Sequence, residues 1–402
     1  MIDQKVKVYI CSSVGIDYFL FLGKTIENTG FEVELVFLIP EINYRNLAKS
    51  SGLKKIWLRL QMYILYPLYL ITKTFTCRKK SIFLVTSNTF FAPYLTYLIL
   101  KYRGIKVIHL LYDLFPDALE IAGAIKTDTF MSKAIGTITR LSQFYCDATV
   151  YLGNFLRNHT ERRWGKAKLA SVIDISTDLS LYCPQFEEKL SDSKLIIHYG
   201  GQLGHLHDAI SIIESIKFIC QSELISIVEF NFYISGSQAK FLENALEGCP
   251  VKVISTVSSD QWREDISKFH IGLVSLSPGG ASVCLPSKTY GMMAGGLAII
   301  AICPEWSDLA GLVKNLDAGW VINNSIYKNE SELNNDEKYL LNLNKKLDDS
   351  LIVNQFYGIL IEIVKNQNIL TQKRHNAYWG VREHYNIDHL STKWKEILSD
   401  MV

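Results

Sequence analysis

The sequence predicts an α/β protein of two doubly wound domains, each a parallel sheet with helices on both faces. Three observations predict it. Short apolar runs alternate with helix-length segments from the N-terminus onward, the pattern of βαβ units. A polar, turn-rich stretch at 170–193 interrupts the rhythm, which then starts again. The length, 402 residues, suits two domains better than one.

The elements follow in order. "VKVYICS" (6–12) reads as a buried strand ending in small residues, "SSVGIDYFLFLGKTIENTG" as a loop and helix, and "FEVELVFLI" as the second strand. "SIFLVTS" (81–87), "IKVIHLLYD" (105–113) and "DATVYLG" (147–153) are further strands with helix-length segments between them. The stretch 170–193 reads as the linker. After it come "LIIHYGG" (195–201), "FNFYISG" (230–236), "VKVIS" (251–255), "IGLVSLS" (271–277) and "LAIIAIC" (297–303), again alternating with helices. The expected domains are 1–172 and 190–375, and ligands of such sheets bind beyond the carboxyl ends of the strands.

Composition narrows the function. Apolar residues make up 48% and charged residues 20%, enough to bury a large core. Lys plus Arg is 42 and Asp plus Glu is 40, a balance that argues against a nucleic-acid partner. The eight cysteines are scattered without a CxxC, as expected of reduced thiols in a cytoplasmic protein. The N-terminus runs straight into an apolar strand with no long apolar stretch behind a basic start, so secretion is not expected.

One segment departs from the α/β rhythm. "LKKIWLRLQMYILYPLYLITKTFTCRKK" (53–80) is apolar and aromatic, with Lys54, Lys55, Arg59, Arg78, Lys79 and Lys80 around it. Its unbroken apolar part, Met62 to Ile71, falls short of the roughly 20 residues that span a bilayer. Basic flanks with Trp57, Tyr63, Tyr66 and Tyr69 suit a segment lying on a membrane surface, which for the protein expected below would be the inner face of the cytoplasmic membrane. The alternative is an ordinary domain helix kinked at Pro67.

Two segments of the second half carry chemistry. In "HYGGQLGHLHDAISIIESIKFI" (198–219) a strand ends in Gly200 and Gly201, a loop with Gly204 follows, and a helix begins. Glycines admit close approach of a ligand to backbone, and a helix start offers N–H groups to phosphate. In "LPSKTYGMMAGG" (285–296) Ser287 is the expected N-cap, which puts Lys288 in the first turn. Lysine is unfavourable there unless an anion is near. The lysine and the amides would together hold a phosphate, and the small residues would let the helix pack closely. The alternative is a lysine with its charge in water.

These residues carry a resemblance. "YGGQLGHLHDAISIIESI" and "IGLVSLSPGGASVCLPSKTYGMMAGGLAIIAICPEWSDLAGLVKNLDAGWVI" resemble the glycine loop and the long signature of GT-B glycosyltransferases of family 4, in the branch that builds bacterial O-antigen, capsule and exopolysaccharide. "LLYDLFPDALEIAGAIK" (110–126) resembles that branch's Asp-aromatic-Pro segment, and "NAYWGVREHYNIDHLSTKWKEIL" its returning C-terminal helix. The resemblance implies an acceptor-binding domain over 1–172, with a helix at 376–402 packing back on it, and a nucleotide-sugar domain over 190–375. It implies a retaining glycosyltransferase of hexosyltransferase type. The donor would be a UDP-linked sugar and the acceptor a glycan, free or on a polyprenyl diphosphate. No metal or other cofactor is expected, since GT-B enzymes as a class need no bound divalent ion.

The site residues follow from that alignment. Family 4 enzymes carry two glutamates eight positions apart; here those positions are Ser282 and Tyr290. The usual Arg and Lys of the glycine loop fall on Gln202 and His207. Lys288 would then supply the charge on the diphosphate, assisted by His205 or His207. The HxH these two histidines form lacks a carboxylate cluster for a metal, with only Asp208 nearby. Asp113 would bind an acceptor hydroxyl and take its proton, or else cap the Phe-Pro turn that follows it. His109 is a second catalytic candidate, or a buried strand residue. Gly15 would let the first loop approach both substrates. Ser255, Thr256 and Trp262 follow a strand end near where the family holds the base. The loss of both glutamates leaves two rivals open, a sugar-nucleotide epimerase on the same fold and a non-catalytic partner subunit.

Overall fold

A computed structural model describes residues 6–45, 52–186, 194–255 and 257–402. The chain divides into two compact units. Unit 1 comprises Met1–Ser176 with Tyr385–Val402, and unit 2 comprises Thr177–His384.

Unit 1 is built on six parallel strands. They are β1 (Lys7–Cys11), β3 (Glu32–Val36), β5 (Ser81–Thr86), β6 (Lys106–Leu111), β7 (Ala148–Tyr151) and β8 (Ala170–Val172), in the order β3-β1-β5-β6-β7-β8. A separate two-residue pair, β2 (Val14–Gly15) with β4 (Ile39–Pro40), lies off this sheet. Both faces of the sheet are covered, so its strands are apolar on alternate and intervening residues alike. From β1, Val8 and Ile10 join Phe19, Leu22, Ile26 and Trp394 on one face. Tyr9 and Cys11 join Tyr66, Leu70 and Leu100 on the other.

Unit 2 repeats the plan. Its strands are β9 (Leu195–Gln202), β10 (Val228–Ser235), β11 (Val251–Ser255), β12 (Ile271–Ser275), β13 (Ala298–Ile302) and β14 (Gly319–Ile322), all parallel, in the order β11-β10-β9-β12-β13-β14. β9 lies at the centre, and the chain reverses direction through the sheet there. That is where α/β sheets open a crevice at the carboxyl end.

The segment 170–193 is not a linker throughout. Ala170–Val172 pairs with β7, Leu179–Leu181 forms a 3-10 turn, and 187–193 lie outside the described residues. The expected helix over 376–402 is two helices, Gln367–His384 in unit 2 and Ile387–Ser399 in unit 1. The second packs on helix Asp17–Glu27, where Ser391 Oγ donates to Thr25 O at 2.8 Å and Asn28 donates to Asp388 at 3.0 Å.

The apolar segment after β4 is one long helix: Gly52–Leu60, a π turn Gln61–Leu65, then Tyr66–Thr76. The Tyr66 N–H bonds Gln61 O, five residues back. The wider turn takes up Pro67, which has no N–H to offer the preceding turn. Tyr66, Pro67, Leu70 and Thr74 face inward, whereas from Gly52 to Leu60 only Leu58 is buried. Leu53, Ile56, Trp57, Leu60, Ile64 and Leu68 are left on the outside. Among the described residues, no helix is long and apolar enough to cross a membrane.

Candidate functional site

In unit 2 the loops after β9 and β12 meet at Lys288. β9 ends on Gly200, Gly201 and Gln202. Gly201 has φ +104°, a backbone state that side chains rarely adopt, and a Cβ there would lie 3.5 Å from Lys288 Cδ. The glycine turn thus lies along the lysine stem. Lys288 opens helix Lys288–Ala294, and its Nζ stands 3.5 Å above the centroid of the Tyr199 ring. The residue is half-buried, yet Nζ is enclosed and has no hydrogen-bond partner among the described residues. Burial pushes its pKa well below the ordinary 10.5, a little offset by Cys284. A ring face attracts a cation but gives it no hydrogen bond, so the ammonium remains unsatisfied.

The expected capping differs in detail. Ser287 holds the N-cap position, but its backbone is helical and its side chain makes no cap bond. The Thr289 and Tyr290 amides bond Pro286 O and Ser287 O, so they are not free for a ligand. The small residues do admit close packing: a Cβ on Gly291 would meet Trp262 and Tyr182 at 2.8 Å, and one on Gly295 would meet Ile266 at 2.8 Å.

The glycine loop is fastened from several sides. His207 Nδ1 accepts from Gly204 N at 3.1 Å, so the ring proton sits on Nε2, which is a donor. Burial, then the Lys288 charge, lowers the His207 pKa to about 3, and the ring is neutral at physiological pH. Gln238 Nε2 donates to Gly204 O, and Ser277 N donates to Leu206 O at 2.9 Å, tying in the loop after β12. Asp208 caps helix Ala209–Cys220 through Ser211 N and Ser211 Oγ, receives Asn324 Nδ2 at 2.9 Å and pairs with Lys346 at 3.1 Å. Its oxygens are therefore engaged in holding the loop. Gln202 and His205 are exposed at the loop's edge.

Beneath the glycines lies a bond that the sequence did not disclose. His198, fully buried in β9, donates from Nδ1 to Asn231 O at 2.8 Å and accepts the Trp262 indole N–H on Nε2, also at 2.8 Å. Its pKa falls to about 3, chiefly through burial. Trp262 is thus held under Gly200. Tyr199, the ring under the ammonium, was also missed, because an aromatic within an apolar strand reads as core.

The remaining expected residues are placed less favourably. Ser282 is buried and donates to Gly279 O at 2.7 Å. Tyr290 is fully buried in its helix. Neither side chain faces solvent, so the positions of the family's two glutamates are packed in this chain. Ser255 is exposed at the end of edge strand β11, and Thr256 lies outside the described residues.

Unit 1 presents a carboxylate at the matching end of its sheet. Asp113 follows β6 in a turn whose Tyr112 and Asp113 amides both donate to Ser87 Oγ, at 3.1 and 3.0 Å. Burial raises the Asp113 pKa, and no cation pairs with it among the described residues. Its charge helps burial lift the Tyr44 phenol to about 12. The Phe-Pro turn beyond it is anchored by a network too dispersed in sequence to foresee. Asp117 is fully enclosed and accepts from Arg163 at 2.7 Å, Trp164 Nε1 at 2.7 Å and His159 at 2.9 Å, while Arg163 also pairs with Glu120 at 2.7 Å. His109 lies within β6, 2% exposed, with neither ring nitrogen partnered among the described residues, and burial lowers its pKa to about 3. Gly15 lies in β2 against Phe37.

No family model matches the sequence. A curated protein, the probable glycosyltransferase WbjE of Pseudomonas aeruginosa, is 21% identical over 301 residues, covering 71% of this chain and 70% of that one. Among solved structures, the sucrose-phosphate synthase of Thermosynechococcus elongatus superposes with a TM-score of 0.66 at 10% identity over 99% of both chains. HepE of Anabaena, solved with UDP, gives 0.65 at 12% identity over 99% of this chain and all of that one. The E. coli trehalose-6-phosphate protein solved with UDP-2-fluoro glucose gives 0.62 at 10% identity over 98% of each. At these identities the likeness establishes the fold: two Rossmann-like domains of the GT-B type.

Proposed function

We propose that this chain is a glycosyltransferase that takes a sugar from a UDP-linked donor. The observation that carries the proposal is Lys288 Nζ, an enclosed ammonium with no hydrogen-bond partner among the described residues, set against the glycine turn of β9. A buried cation without a counterion is costly, and an arriving diphosphate would supply the missing acceptors. Turning the terminal bonds of the lysine moves the ammonium off the Tyr199 ring onto phosphate. His207, whose pKa is lowered by burial and then by the Lys288 charge, offers a neutral Nε2–H donor to the same group. Similarity to a curated glycosyltransferase and to structures solved with UDP and UDP-glucose supports the donor class.

In this reading the reaction retains anomeric configuration. Lys288 stabilises charge on the departing diphosphate, and Asp113 orients the acceptor hydroxyl and receives its proton. Burial raises the Asp113 pKa, which makes its carboxylate a stronger base than an exposed one. The acceptor is a surface-polysaccharide glycan, free or on a polyprenyl diphosphate, and the enzyme belongs to family 4. The outward apolar residues of the 52–76 helix, with exposed Lys54, Lys55 and Arg59, support docking on an anionic membrane face.

The test is release of UDP from a panel of UDP-sugars in the presence of a polyprenyl-linked glycan acceptor. Acceptor-dependent UDP release is the expected result. Sugar-nucleotide isomerisation without release would identify an epimerase. Nucleotide binding with no turnover would leave a non-catalytic partner subunit, which the packed positions of Ser282 and Tyr290 favour.

A further inference from the structure

Unit 1 holds a second concave site that uses neither Asp113 nor its turn. A cavity of 660 Å³ lies among helix Ala92–Leu100, the end of helix Phe130–Tyr145 and the turn after helix Asn154–Trp164. That volume falls within the about 300–1,000 Å³ usual for small-ligand sites. Tyr97, Phe144 and Tyr145 form an aromatic wall, Arg140, Lys166 and Lys168 supply charge, and among the described residues no carboxylate lines it. Asp147 and Lys168 precede β7 and β8, so the cavity is at the strand N-termini. Asp113 follows the C-terminus of β6, at the opposite end of the same parallel sheet.

Charge fixes the sign of the ligand. Arg140 and Lys166 are exposed and pair with no carboxylate among the described residues, whereas Lys168 shares Asp147 with Lys106 at 3.3 Å each. Shape and ring geometry fix its class. Tyr145 stacks on Tyr97 with centroids 5.7 Å apart, which makes a stiff platform. Phe144 meets Tyr145 edge-on at 5.0 Å and 90° and is 63% exposed, so its own face is open. An open aromatic face beside unpaired cations suits a sugar ring that carries a carboxylate or phosphate. A lipid surface is less suited to it. The outward apolar residues of the 52–76 helix are densest from Leu53 to Leu68, and Thr89, just beyond the C-terminus of β5, donates to Met62 O at 3.0 Å. They therefore lie toward the other end of the sheet.

We propose that this cavity binds an acidic oligosaccharide, a charged segment of glycan held away from the reacting centre. The proposal rests on the glycosyltransferase reading only for the source of that glycan. The test is calorimetry of the full chain at low salt with tetragalacturonate, with neutral maltotetraose and, separately, with UDP. Tetragalacturonate is expected to bind and maltotetraose to bind at least about 10-fold more weakly. Arg140→Ala with Lys166→Ala should weaken tetragalacturonate about 10-fold, the effect of two surface ion pairs near the upper end of their usual strength. The same variant should bind UDP as the parent does and melt at the same temperature, since both side chains are exposed. Equal binding of the two sugars, an unaffected double variant, or no binding of tetragalacturonate overturns the proposal. So does a double variant that loses phosphatidylglycerol vesicles while the acidic sugar never bound, which would make the cavity a lipid site. Failure to bind UDP with tetragalacturonate still bound would count against the donor reading alone.

Discussion

Lys288 is held in a condition that costs the free protein stability. Its folded pKa lies below the ordinary value, so between those two values the unfolded chain binds a proton that the folded chain lacks. Stability from this residue therefore rises with pH across that window and is lowest below the folded pKa. Lys288→Met keeps the stem and removes the charge. It should raise the unfolding free energy at neutral pH and flatten the rise toward alkaline pH. Denaturant titrations from neutral to alkaline pH measure both; a variant less stable than its parent would mean that the ammonium is satisfied in the free protein. Asp117 is the converse case. Burial works to raise its pKa, but the hydrogen bond and charge of His159, followed by Arg163, hold it lowered. Its contribution is present above the ordinary carboxylate range and is lost as pH falls through the folded value. Asp117→Asn leaves Arg163 buried with half its pairing gone and should cost about 3–5 kcal/mol, read from the denaturation midpoint. A loss under ~1 kcal/mol would show that Glu120 alone suffices for Arg163.

Two elements turn residues into surfaces. The 52–76 helix buries one side on its unit and leaves Leu53, Ile56, Trp57, Ile64 and Leu68 outside, beside Lys54, Lys55 and Arg59. Binding to anionic vesicles should be strong at low salt and reversed by high salt. Ile56→Glu with Ile64→Glu should abolish co-sedimentation while leaving the melting temperature within a degree or so, because both side chains are more than half exposed. Equal binding to neutral vesicles would remove the electrostatic half of that account. The end of β9 is the second such element. A Cβ on Gly200 would fall 2.7 Å from Trp262 Nε1 and 2.8 Å from His198 Nε2, two atoms already bonded to each other. Gly200→Ala should therefore break that bond and destabilise unit 2 by about 1–3 kcal/mol. An unchanged unfolding midpoint would mean that Trp262 swings aside freely.

At the scale of the molecule, the sequence disclosed most of the fold because parallel strands buried on both faces are continuous apolar runs. "LIIHYGG" and "LAIIAIC" could hardly be anything else. In the two six-stranded sheets the strands it concealed are the edges β8 and β14, which have three and four residues and are mostly half-buried; β8 fell within what read as linker. The site was legible where chemistry is local, in a lysine set at a helix start among small residues. It was hidden where partners are distant in sequence. Tyr199 lies far along the chain from Lys288, and the carboxylate of Asp117 is met by residues a whole βα unit away. The local pattern placed a cap on Ser287, where the backbone is already helical, and the family resemblance placed ligand contacts on Ser282 and Tyr290, where side-chain burial decides and no linear pattern encodes it.

The central claim is that the enclosed ammonium of Lys288 awaits a diphosphate. Calorimetry of UDP binding to the parent chain and to Lys288→Met, each in two buffers of different ionisation enthalpy, tests it most directly. A charge-assisted contact worth about 1.5–3 kcal/mol predicts that the variant binds UDP roughly 10- to 150-fold more weakly. The parent should take up a proton on binding at pH values above the lowered pKa of Lys288, and the variant should not. Equal affinities with equal proton uptake would contradict the claim and leave Lys288 a packing residue over Tyr199.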